Sequence, residues 1–123
     1  MTDQEIFDKV VAHLRQQGHK AMSEKLDVFT QLPICAYRAK NGDKCAVGCL
    51  IEDEEYKETF EGVNALMILD GGYGADMPLV ERLYPHRQLL NELQIVHDKT
   101  EVEVWERELQ GVAARFGLIY TPA

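Results

Sequence analysis

Long apolar runs are missing from this 123-residue chain, whose longest uninterrupted one is the five residues Ala65 to Leu69. A bilayer-crossing helix needs about 20, so no membrane span is expected. Basic residues are scarce as well: 13 Lys and Arg face 21 Asp and Glu, for a formal charge of −8. That balance opposes phosphate backbones and anionic lipid surfaces, which argues against direct nucleic-acid or membrane binding. Cysteine is limited to Cys35, Cys45 and Cys49. An odd count argues for free thiols in a reducing compartment rather than a disulfide framework. The opening MTDQEIFDKV is acidic where a secretion signal would be basic and then apolar. Ser23 is the only serine, and no G-x-S-x-G elbow surrounds it. There is no low-complexity tract, no internal repeat and no linker-like stretch. The expectation is a soluble, cytoplasmic, single domain over residues 1–123.

What the chain does have is 46% apolar residues, and a chain this long buries roughly 65% of its unfolded surface. Thr2 and Glu5 form a capping box ahead of Ile6, Phe7, Val10, Val11 and Leu14, which recur at helical spacing; Gly18 is a natural stop. A shorter helix is expected with Met22, Leu26 and Phe29 on one side, ending before Pro33. Residues 34–51 carry the β signal, with Asn41-Gly42 as a two-residue hairpin turn pairing Arg38 with Cys45 and Ala36 with Val47. The rival reading starts a helix at Cys45 to Leu50, capped by Asp43. Helical stretches are expected over Glu52–Glu61, from Pro78 to Leu83, over Arg87–Lys99 with Leu89, Leu90, Leu93, Val96 and His97 on one stripe, and after a Thr100–Glu103 capping box. Trp105, Leu109, Val112, Ala113 and Phe116 form the last face, and Gly117 ends it. The expected fold is α+β: mostly helical, with one short β-hairpin.

The chemistry is sparse. Cys45 and Cys49 in an extended strand lie about 13 Å apart, too far to share a zinc ion, and no C-x2-C knuckle is present, so no metal site is assigned. His97-Asp98 with His86 suggests part of a phosphohydrolase metal set, but no aspartate follows position 98. The simpler reading is a histidine on an apolar stripe, with Asp98 bonded to backbone donors at a helix junction. The glycines between Asp70 and Asp76 form neither a P-loop nor a calcium loop, and leave Tyr73 as a contact residue on an exposed turn. Glu52, Asp53, Glu54, Glu55, Glu58 and Glu61 make the densest acidic run, read either as a solvated helix face or as an imitation of DNA phosphates. Arg38, Lys40 and Lys44 make the 34–51 segment cationic within an acidic chain.

The stretch CAYRAKNGDKCAVGCLIEDEEY, then LLNELQIVHDK, Trp105 and VAARFGL, resembles an uncharacterised small-protein family of tailed phages and prophages. Its pattern runs C-x-Y-R-x-x-x-G-x-K-C-A-I/V-G-x-L-I, then L-Q-x-x-H-D. The resemblance implies a phage or prophage context rather than a reaction, and carries over Tyr37, Arg38, Lys44, Cys45, Gly48, His97 and Asp98. The expected function is a non-enzymatic accessory protein, without cofactor, that binds a host protein and blunts a defence or redirects host machinery. Two alternatives stand beside it. One is a small-molecule or nucleotide binder, or simple hydrolase, with Tyr37, Arg38, Lys44, Cys45, His97 and Asp98 around an anionic ligand. The other is an acidic DNA mimic.

Overall fold

The structure, a computed structural model, describes residues 1–123. Helix α1 (Asp3–Gln17) opens on the expected capping box, with Thr2 Oγ1 accepting from the Glu5 amide and Glu5 reaching back to the Thr2 amide. It closes on Gly18 at φ +74°, a left-handed cap that glycine adopts without steric cost. All five residues of its apolar face are buried.

Strands β1 (Met22–Leu26) and β2 (Pro33–Cys35) form an antiparallel hairpin in which Met22 faces Cys35 and Leu26 faces Pro33. The expected helix over residues 22–29 is therefore a strand and a turn. Asp27 Oδ1 accepts from the amides of Phe29 and Thr30, and the Leu32 carbonyl accepts from the Asp27 amide. This side-chain turn competes with helix formation, and no core lies against the Met22–Leu26–Phe29 side, which is exposed.

The expected 34–51 hairpin is likewise corrected. Residues 33–35 pair with β1, and only Arg38 and Lys44 bridge across the Asn41-Gly42 turn. Gly42 alone takes positive φ there, so the two-residue turn that needs it at both positions is replaced by a wider loop closed from the Ala39 amide to the Asp43 carbonyl. The register consequently sets Arg38 against Lys44 and not Cys45. Cys45 to Leu50 turns helically, ending in a 3-10 turn at Gly48–Leu50, closer to the rival reading. Its cap is the Cys45 thiol, which accepts from the Gly48 amide at 3.3 Å; Asp43 pairs with His19 instead.

Glu52–Glu61 is not a helix but a series of turns around a 3-10 segment, Glu58–Phe60. Then come α2 (Ala65–Leu69), capped by Asn64; α3 (Met77–Leu83), capped by Asp76; α4 (Arg87–Lys99); and α5 (Trp105–Phe116), closed by Gly117 at φ +65°. Thr100 forms no capping box: its hydroxyl donates to the Val96 carbonyl at the end of α4, and a 3-10 turn at Val102–Val104 precedes α5. The fold is α+β, mostly helical with one two-stranded hairpin. Its core joins α1, α4 and α5 to Tyr37, Cys45, Leu50 and Phe60 of the irregular middle.

Candidate binding cleft

A cleft of about 660 Å³ opens between the β1–β2 hairpin, the 62–64 turn and the C-terminal half of α4. That volume is in the range of small-ligand sites. Leu26, Leu32, Ile34 and Val63 supply apolar wall and Tyr37 and Cys45 the floor; Cys35, Gln94 and Asp98 are polar groups on the α4 side, and Asp27, Thr30, Asn64 and Lys99 complete the polar lining.

Three hydrogen bonds position the polar edge. Gln94 and Asp98 stand four residues apart on α4, facing the same side, and Gln94 Nε2 donates to Asp98 Oδ1 at 2.8 Å. Gln94 Oε1 meanwhile accepts from the Val47 amide at 3.0 Å, tying α4 to the Cys45 turn. The same Asp98 Oδ1 lies 2.7 Å from His97 Nδ1, and the Cys35 thiol is a further hydrogen-bonding neighbour of the carboxylate. His97 is fully buried, stacked on Trp105 with ring centroids 5.7 Å apart, and its Nε2 accepts from the Ala21 amide at 3.0 Å. An acceptor at Nε2 puts the ring proton on Nδ1, facing Asp98. Asp98 thus bonds side chains, where backbone donors were expected.

Ligand atoms of Cys35, His97 and Asp98 lie within 4.8 Å of one another. A metal at that point would need the Nδ1 lone pair, turning the Nε2 proton against the Ala21 N–H. The donor set is therefore a poor fit to a cation. Nor is His97 disposed as a general base, since both ring nitrogens are already engaged within the fold. Burial, followed by the negative charge of Asp98, pushes the Cys35 thiol up to about 12. Burial likewise raises Cys45, and pushes Cys49 up to about 11. Thiols held this far from ionisation are weak nucleophiles at neutral pH.

The predicted residues divide sharply. Tyr37, Cys45 and Asp98 meet at the cleft, with His97 behind Asp98. Arg38 does not: its guanidinium donates to the Ile51 carbonyl, pairs with Asp53 and lies over the Tyr56 ring. Lys44 is held by α1 through its backbone, to Gln17 and His13. Neither cation is among the residues that line the cleft beside Asp98. Tyr73 is exposed on its turn, with its carbonyl accepting from Thr59, away from the cleft.

The acidic run is also broken up. Glu52, Asp53, Glu54 and Glu58 are exposed, but Glu55 is buried against Arg82, whose guanidinium clamps both its oxygens at 2.6 and 2.9 Å. Glu61 accepts from the Tyr37 and Arg38 amides and from Tyr56 Oη. Glu55 and Glu61 thus serve the fold and Asp53 pairs with Arg38, while Glu52, Glu54 and Glu58 stay exposed. Gln94, Cys35, Asp27 and Lys99 are among the cleft residues that sequence reasoning missed. The Gln94, His97, Asp98 spacing at i, i+3 and i+4 was the available signal for the first. Comparison with known proteins finds no matching family model, no similar curated protein and no similar solved structure.

Proposed function

We propose that the protein is a non-enzymatic binding protein of phage or prophage type, which engages a host protein in the cytoplasm. The observation that carries this reading is the cleft, where Tyr37, Cys45 and Asp98, drawn from the stretches of the phage-family pattern, meet at one concave surface. Its rim favours a macromolecular occupant. Val28 and Leu32 line the mouth and are exposed, and Phe29 beside them is 93% exposed. Exposed apolar residues clustered at a cleft mouth mark an interaction surface. A partner covering the hairpin tip would bury them. The absence of a usable base at His97 and the raised thiols favour binding over catalysis.

The test is site-specific photo-crosslinking in host cells, with the probe at Phe29, at Leu32, and at Ile119 on the carboxy-terminal tail. The expected result is one host protein crosslinked from the first two positions and not from Ile119, and lost on Val28→Glu. Equal capture from all three positions, or capture indifferent to Val28→Glu, overturns the reading.

A further inference from the structure

Asp98 is a carboxylate of the cleft lining, set on α4 opposite the aliphatic hairpin residues, and Asp27 is the other. The Asp98 side chain is 26% exposed, and Oδ1 accepts from His97 and Gln94, which fixes the carboxylate, while Oδ2 takes no bond from either and has only the neutral Cys35 thiol as a near donor. The other charged groups around it are committed or peripheral. Asp27 is held in the hairpin turn by two backbone amides. The Lys20 ammonium donates to the Asp98 main-chain carbonyl at 3.4 Å, and Lys99 is exposed at the rim. At the Cys35 thiol the charge of Asp98 acts more strongly than that of Lys20 or of Lys99 taken singly, and it also raises the Tyr37 and Cys45 acids. Around this point the walls are aliphatic, from Leu26, Leu32 and Ile34.

A carboxylate at the end of an aliphatic slot complements a cation on an aliphatic stem. We infer that the cleft takes a basic side chain, lysine or arginine, from an apolar-flanked segment of the bound protein, with Asp98 as its counter-ion. This rests on the binding reading above and specifies what is bound. The stem packs on the apolar wall while the head reaches Oδ2, the arrangement long basic side chains favour. The positioned carboxylate lowers the cost of binding because His97 and Gln94 have already ordered it.

The probes are three capped peptides, Ac-Val-Lys-Val-NH2 and its norleucine and glutamate counterparts, titrated by NMR against the full chain and against Asp98→Asn. The amide of Asp98→Asn keeps an oxygen for His97 and Gln94, so the fold is retained. The expected result is saturable shifts at Cys35, Gln94 and Asp98 with the lysine peptide only, weakened at least tenfold by Asp98→Asn. Equal binding of the lysine and norleucine peptides, or no effect of Asp98→Asn, overturns the counter-ion assignment while leaving cleft docking intact. No lysine-peptide shifts at the cleft, while Phe29 still crosslinks its partner, likewise overturns the assignment alone. Loss of position-dependent crosslinking removes the docking reading itself.

Discussion

Gly48→Ala is the substitution for which the structure makes the sharpest demand. A Cβ at position 48 would lie 2.1 Å from the Tyr37 carbonyl oxygen and 2.9 Å from its carbon, where ordinary contacts begin at 3.4 Å. Relief needs the two backbones to separate by roughly 1.3 Å. Neither is free to move. Tyr37 is buried, its amide donates to Glu61 Oε1 and its hydroxyl to the Val63 carbonyl. Gly48 is held by its amide on Cys45 Sγ and by the Ile51 amide on its carbonyl. Overpacking costs about 1–3 kcal/mol, and breaking one or two of these bonds adds about 1 kcal/mol each. The expected loss is about 2–5 kcal/mol, a large share of the stability of a domain this size, with Tm falling by roughly 8–20 °C. Urea denaturation followed by circular dichroism measures it. Gly111→Ala is the matched control: in the α5 interior its Cβ meets only the far end of the Arg115 side chain, at 3.3 Å. Removing a helical glycine there should stabilise by about 0.5–1 kcal/mol. A Gly48→Ala cost below about 1 kcal/mol would refute the close approach, and with it the floor of the cleft.

Two further outcomes follow from the ionisable groups. The Arg82 guanidinium, then the Glu52 amide, hold the Glu55 carboxyl below its usual range. Its contribution is therefore present above the unfolded carboxylate pKa and lost as pH falls through the lower folded value. Glu55→Gln should cost about 2–3 kcal/mol at pH 7, since Arg82 is left with partial solvent, and should flatten the acid limb of stability against pH; an unchanged acid limb removes the pair from the argument. Cys35, pushed up to about 12, should alkylate with iodoacetamide at pH 8 at least about tenfold more slowly than free cysteine, read by mass spectrometry. Asp98→Asn should speed it. A rate matching free cysteine contradicts the buried, negative cleft.

Sequence alone determined the parts of this protein whose signals are local. The Thr2–Glu5 box, the Gly18 and Gly117 stops and the stripes of α1, α4 and α5 depend on residues within one or two turns of each other, and all stand in the structure. Where a choice depended on distant partners, tertiary structure decided. Pro33–Cys35 found its strand in Met22–Leu26 because the Asp27 turn brings those segments together, and no periodicity records that preference. Glu55 and Glu61 look like members of a solvated acidic face, yet Arg82 and the Tyr37–Arg38 amides draw them inward from 27 and 23–24 residues away. The −8 charge argues against phosphate-rich partners, but it is a sum and carries no position. Only the packing of α4 against the Cys45 turn, through Gln94, and against Ala21 ahead of β1, through His97, set one of those charges, Asp98, in a cleft.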